Sequence, residues 1–289
     1  MFAVFKRELN AYFQTPIGYV FMGFFILLSG IFAAITNFIG GNPNFTGVLG
    51  SITFIFLIVV PVLTMRLLSE ETRQKTDQLL ITSPLSITGM ILGKYLAAVT
   101  VFVITLAVTA VYPIIMSFFA LGGLAGWEIL GGYIGFLLLG ASFIAVGLFM
   151  SSLTDNQFIA AVTTFGALLL LWILDWVTNS LPTDAVAGLV FLGICAAGLA
   201  LLVWFTTKNV FAAVGTALVA AAAVLLGWLF QKSFFEGVIV RVLQWFSLLK
   251  RYNDFNLGVL SLSPIVYYLS FCAAFVFLTV RMIEKRRWI

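Results

Sequence analysis

Few residues in this chain could do chemistry. There is no histidine among 289 residues, which removes histidine metal ligands and Ser-His-Asp triads. Only 9% of the residues are charged, and seven of those charges fall together in 65–94, MRLLSEETRQKTDQLLITSPLSITGMILGK. They are Arg66, Glu70, Glu71, Arg73, Lys75, Asp77 and Lys94. Glu70–Arg73 is an i,i+3 pair and Glu71–Lys75 an i,i+4 pair in the favourable order, so the spacing predicts helix. Thr76 is placed to cap a second short helix, DQLLITS, which Pro84 ends because the residue before proline is driven out of helical geometry. That helix would expose Leu79, Leu80 and Ile81 side by side. A loop that only kept its charges out of a membrane would have no use for such a patch, whereas a partner protein's groove would accept it. The chemistry predicted here is docking.

Other motifs carry less. GMILGKY at 89–95 has three residues between its glycines and Tyr95 after its lysine, so it is not a phosphate loop. SLLK at 247–250 matches a Ser-x-x-Lys pattern without any supporting motif, and NFT at 44–46 is a bare sequon. Asp175, in LWILDWVTN, is the strongest intramembrane carboxylate, but it lies about a turn from Asn179 and among Trp172 and Trp176. That pattern places it at an outer interface. Glu128, Asp155 and Asp184 fall at the ends of apolar runs, and Cys195 and Cys272 read as small buried hydrophobes.

The elements that must position the charged stretch are membrane helices. Charge-free runs cover 15–65, 95–127, 129–154, 156–174, 185–207, 209–231 and 255–280, in a chain that is 62% hydrophobic. A bilayer-spanning helix needs about 20 mainly apolar residues. The sequence therefore predicts an all-α polytopic membrane protein with about eight spans: 16–38, 48–68, 91–120, 129–151, 157–178, 185–206, 209–230 and 262–283. With both termini cytoplasmic, eleven Lys and Arg lie inside and only Lys232, Arg241, Lys250 and Arg251 outside, the orientation the positive-inside rule selects. Residues 65–94 are then cytoplasmic, with Lys94 expected to anchor at the interface by snorkelling. No basic stripe interleaved with stacking aromatics speaks for nucleic acid.

Two segments read as interfacial. In residues 1–14, Phe2, Phe5, Leu9 and Tyr12 recur at helical spacing while Lys6, Arg7, Asn10 and Gln14 avoid that stripe, which predicts a helix in the headgroup plane ahead of a retained first span. Outside, 231–261 holds Lys232, Glu236, Gln244, Ser247 and Arg251 about every four residues among Phe, Trp and Leu. That suits a helix lying on the outer surface.

PVLTMRLLSEETRQKTDQLLITSPLSITGMILGKY resembles the cytoplasmic motif of ABC-2-type transporter permeases, most closely the gliding-motility type. Thr64, Met65, Arg66, Glu70, Glu71, Arg73, Thr76, Leu79, Thr82, Pro84, Gly93 and Lys94 match it. Lys75 and Asp77 depart from it, standing where the family usually has Gly and Glu. KRELNAYFQTPIGYVF resembles the family's N-terminal helix and first-span entry, SSLTDNQFIAA at 151–161 its second cytoplasmic loop, and NDFNLGVLSLSPIVYYLSF with FLTVRMIEKRRW its C-terminal end. The resemblance implies a single transmembrane domain over 1–289: a six-span core with an extra hairpin at 185–230, and a coupling helix within 70–88 lodged in a cytosolic ATPase. Arg66, Glu70, Glu71, Arg73, Thr76, Leu79, Leu80, Ile81 and Pro84 would form that contact, with Thr154, Asp155, Asn156 and Gln157 as a second one. It implies two ATPase subunits holding ATP and Mg, no cofactor on this chain, and a second permease copy or a similar chain. A membrane-anchored partner with an extracytoplasmic domain would belong to the complex too. The expected place is the plasma membrane of a bacterium, and the expected function substrate export, or alternatively mechanical work on that external partner.

Overall fold

The computed structural model describes residues 1–42, 44–73, 86–118, 126–230 and 232–287, and every regular element among them is helical. Among the described residues, eight helical stretches are long and apolar enough to cross a membrane: Pro16–Ile39, Thr46–Arg73, Ile87–Ser117, Gly126–Ser152, Gln157–Thr178, Ala185–Phe205, Val210–Trp228 and Leu262–Lys285. They coincide with the eight predicted spans to within a few residues. Val20, Leu27, Ile114, Leu170 and Leu269 stand more than half exposed on their outer faces. Water would not tolerate that much uncovered aliphatic surface, and lipid does. The chain is an all-α, multi-pass membrane protein.

Local chemistry explains the joints. Helix α1 (Phe2–Gln14) stops at Thr15, held extended (φ −109°, ψ 154°) by Pro16, which opens α2 (Pro16–Ala33). A π-helical stretch, Ala34–Ile39, completes the first span. The second span is assembled from α3 (Thr46–Ser51), a 3-10 turn at Ile52–Ile55, α4 (Phe56–Thr64) and α5 (Ser69–Arg73). The sequence predicts one helix continuing out of the membrane here. Instead Pro61 lies inside α4, and residues 65–68 form a turn between α4 and α5. Ser86 caps α6 (Ile87–Thr109), its Oγ accepting from Gly89 N at 3.2 Å, and α7 (Val111–Ser117) ends the third span. Then follow α8 (Gly126–Ser152) and α9 (Gln157–Ser180).

By chain contacts the protein divides into two units, residues 1–172 with 248–289, and residues 173–247. The first holds an aromatic core in which Phe56 meets Phe136 at 4.7 Å and Phe102 and Phe143 at 5.5 Å, the latter two edge to face. Helix α8 runs through this core with glycines where neighbours come closest: a Cβ at Gly140 would overlap the Phe102 ring, and one at Gly147 the Thr64 side chain. Also in the first unit, α14 (Leu248–Asn256) buries Leu248, Tyr252 and Phe255 and packs against α8. That corrects the surface-lying helix expected there, whose polar spacing concealed a buried stripe at 248, 252 and 255. Helix α15 (Leu262–Arg287) closes the unit.

The second unit contains a hairpin of α10 (Ala185–Thr207) and α11 (Val210–Phe230), turned at Lys208 in the left-handed region (φ 50°). Asn209 Oδ1 accepts from Phe211 N at 2.9 Å and starts α11. Helices α12 (Lys232–Phe235) and α13 (Val238–Phe246) complete it, α13 leaving Val242, Trp245 and Phe246 exposed as an interfacial helix would. Asp175 accepts a hydrogen bond from Ser247 Oγ at 2.8 Å.

Adding a methyl at Gly140 forces the Phe102 ring to move in a packed core, which costs about 1–3 kcal/mol. Gly140→Ala is expected to lower the unfolding temperature in detergent, whereas Gly23→Ala, with nothing within 4 Å of the new Cβ, leaves it level or raises it.

Candidate functional site

Two of the charged residues of 65–94, Glu71 and Lys94, meet in an ion cluster within the first unit. Lys94, on α6, is 1% exposed, and its Nζ lies 3.0 Å from Glu8 Oε1 and 2.9 Å from Glu71 Oε1. Arg7 Nη2 lies 2.8 Å from the same Glu8 oxygen and 2.9 Å from the same Glu71 oxygen. Two carboxylates and two cations, from α1, α5 and α6, thus neutralise one another around a buried ammonium. The snorkelling expected of Lys94 is corrected: its side chain turns into the protein, because two carboxylates there replace the water it would have reached.

The helices must approach closely for this to form. Gly93 makes that possible, since a Cβ there would sit 3.0 Å from Met1 O and 3.2 Å from Phe5 N. The buried face of α1 carries Val4, Glu8 and Tyr12 at i,i+4 spacing. Tyr12 Oη donates to Leu63 O at 2.8 Å, tying α1 to α4. The stripe of Phe2, Phe5, Leu9 and Tyr12 seen in the sequence is therefore divided: Tyr12 faces the core, while Phe2 stays 75% exposed.

The turn at 65–68 is clamped as well. Ser151 Oγ, at the end of α8, accepts from Leu68 N and Ser69 N at 3.2 Å each and donates to Met65 O at 3.3 Å. Arg66 Nε lies 3.6 Å from Glu70 Oε2, and Arg66 Nη1 donates to Thr15 Oγ1 at 3.2 Å. One hydroxyl and one guanidinium therefore brace α5 against α8 and the α1–α2 elbow.

Burial raises the Glu8 carboxyl's proton affinity, but the Lys94 ammonium and Arg7 guanidinium outweigh it and hold the group below the ordinary carboxylate value. The Arg7 guanidinium is raised, first by its hydrogen bond to Glu8. Burial pushes the Tyr12 phenol well up, so it is a hydrogen-bond donor at any physiological pH.

Of the sequence-predicted site residues, Arg66, Glu70, Glu71 and Lys94 are brought together near the base of the segment, and Arg73 is exposed at the end of α5. Glu70 pairs with Arg66 one turn back, and Glu71 points into the cluster. Lys75, Thr76, Asp77, Leu79, Leu80, Ile81 and Pro84 lie outside the described residues. In the second contact, Asn156 Oδ1 accepts from Phe158 N at 2.9 Å and caps α9, and Thr154 Oγ1 accepts from Asn156 N at 3.2 Å. Asp155 is exposed and Gln157 half-buried. Glu8 and Ser151 were missed. A lone acid four residues before Tyr12, and a serine pair closing an apolar run, were the available signals. Among the described residues, no three His, Cys, Asp or Glu side chains are grouped to hold a metal ion. No protein-family model matches the chain, and no curated protein matches it.

Removing one partner of a buried ion cluster costs about 3–5 kcal/mol, against about 0–1 for an exposed pair. Lys94→Met is therefore expected to destabilise far more than Arg281→Met, which breaks the exposed Arg281–Glu284 pair, when both are unfolded in detergent. For Glu8 the folded value lies below the ordinary 4.5. Its contribution is complete above about pH 4.5 and is lost as pH falls through the lowered value. Stability curves of the wild type and Glu8→Gln should differ at neutral pH and converge on acidification.

Proposed function

We propose that this chain is the membrane-spanning subunit of an ATP-driven, ABC-2-type exporter, and that residues 70–88 receive force from a separate cytosolic ATPase. The observation that supports the reading is the braced base of that segment. A segment that transmits a push must not hinge where it meets the membrane. Here the break at 65–68, at the end of the second span, is clamped by Ser151, Arg66 and the Lys94 cluster. Movement at 74–85 would pass into α5, through Glu71 and Lys94 into α1 and α6, and through Ser151 into α8. Those helices carry the core, so they would tilt together.

In this reading ATP and Mg reside in two ATPase subunits, and Leu79, Leu80 and Ile81 form the plug. A second copy of this chain or a similar permease completes the path. The cluster end faces the cytosol of a bacterial cell, because eleven positives of fifteen then lie inside.

Tagged protein purified from its own membranes in mild detergent should carry a co-purifying ATPase chain that photolabels with an ATP analogue while this chain does not. Leu80→Asp buries a charge in the plug and should remove both the ATPase chain and about nine-tenths or more of the ATP hydrolysis, as expected for losing a central apolar anchor. Unchanged ATPase retention in Leu80→Asp would sink the docking assignment. Absence of any ATPase from the wild-type preparation would sink the exporter reading as a whole.

A further inference from the structure

A groove of about 470 Å³ runs between α6 and α15 in the first unit. Its floor is Tyr95, Cys272 and Val276, all buried, and its walls include Leu92, Ala273 and Phe277. Arg281 and Glu284 stand at one end with Thr88 opposite. Between Cys272 and Glu284 the groove follows α15 for about 18 Å at 1.5 Å per residue. A single leaflet's hydrocarbon is about 15 Å deep. The groove is thus as long as a leaflet is thick, apolar along its length and polar only at its end.

We infer that this groove seats one anionic phospholipid, with an acyl chain along Tyr95, Cys272 and Val276 and the phosphate at Arg281. Charge complementarity selects the occupant. The Arg281 guanidinium is 64% exposed and lies 5.0 Å from the Phe277 ring centre, so the ring holds it at the mouth of the groove. Glu284 neutralises part of it at 2.9 Å, but Lys285, four residues after Arg281 on α15, is exposed and adds a second cation at this end of the helix. The mouth is therefore net positive, as basic pockets between membrane helices that take lipid phosphates are. The Thr88 hydroxyl supplies a donor from the opposite wall. The bound lipid would fill the seam between the helix that carries Lys94 and the last span, making lipid charge a determinant of how firmly they hold together.

The test uses the full chain, delipidated in detergent and titrated with equal amounts of phosphatidylglycerol and phosphatidylcholine, with retained lipid counted by native mass spectrometry. The wild type should keep one phosphatidylglycerol under activation that strips phosphatidylcholine. Arg281→Gln should lower that preference about fivefold, the effect of one basic side chain near an anionic headgroup. Ala273→Trp, which fills the groove from an exposed position, should abolish retention, and Lys208→Glu, in the α10–α11 turn, should leave it unchanged. Equal retention of the two lipids by the wild type, or unaltered retention in Ala273→Trp, overturns the proposal. So does a change in oligomeric state in Ala273→Trp with lipid retention intact, which would make the groove a contact between copies. Arg281 is exposed, so its variant decides the matter if the bulky one does not fold.

Discussion

Everything at the charged end of this protein depends on one buried ammonium. Lys94 is a cation on a membrane helix with its head group out of water, and only the carboxylates of Glu8 and Glu71 make that tolerable. Because the two acids come from different elements, the charge can be satisfied only when α1, α5 and α6 are all in place. A contact of this kind adds little net stability over an apolar substitute, but it penalises every arrangement in which one partner is missing. It therefore specifies position. The glycine before it serves the same end, since a side chain at residue 93 would press on the α1 backbone at Met1 and Phe5.

The second span shows why such bracing is needed. A helix with Pro61 in its middle and a turn at 65–68 is a poor rod by itself. Ser151 repairs the turn by accepting from two amides and donating a hydrogen bond to a carbonyl, replacing hydrogen bonds that the broken helix cannot make. Stiffness is thus obtained from the neighbouring α8 and from side chains. An uninterrupted α4–α5 rod would have needed neither Ser151 nor the tie from Arg66 to Thr15.

The apolar interior works by shape. Lipid tails are as apolar as the core, so burial alone does not draw membrane helices together, and close packing must. The Phe56, Phe102, Phe136 and Phe143 rings interlock at edge-to-face and tilted angles, and α8, which carries Phe136 and Phe143, admits Phe102 and Thr64 through glycines at 140 and 147. In the groove between α6 and α15 that packing is incomplete, and the chemistry there changes from rings to a cationic mouth.

Composition and period alone determined that this is a helical membrane protein, where its eight spans lie, and that 65–94 is its chemically distinct segment. Those features follow from the absence of water in a bilayer, which acts on each stretch of chain separately. The partners of the charges were decided only by the tertiary structure. Local spacing offered Lys94 to the headgroups, yet Lys94 and Glu71 found each other across a helix pair, with Glu8 from the start of the chain. The same applies to α14, whose polar spacing suited a surface while Leu248, Tyr252 and Phe255 were taken into the core. Period reports which face of a helix is apolar. What that face meets depends on which helices are neighbours, and that is settled by glycine clearances and charge pairing between residues far apart in the chain.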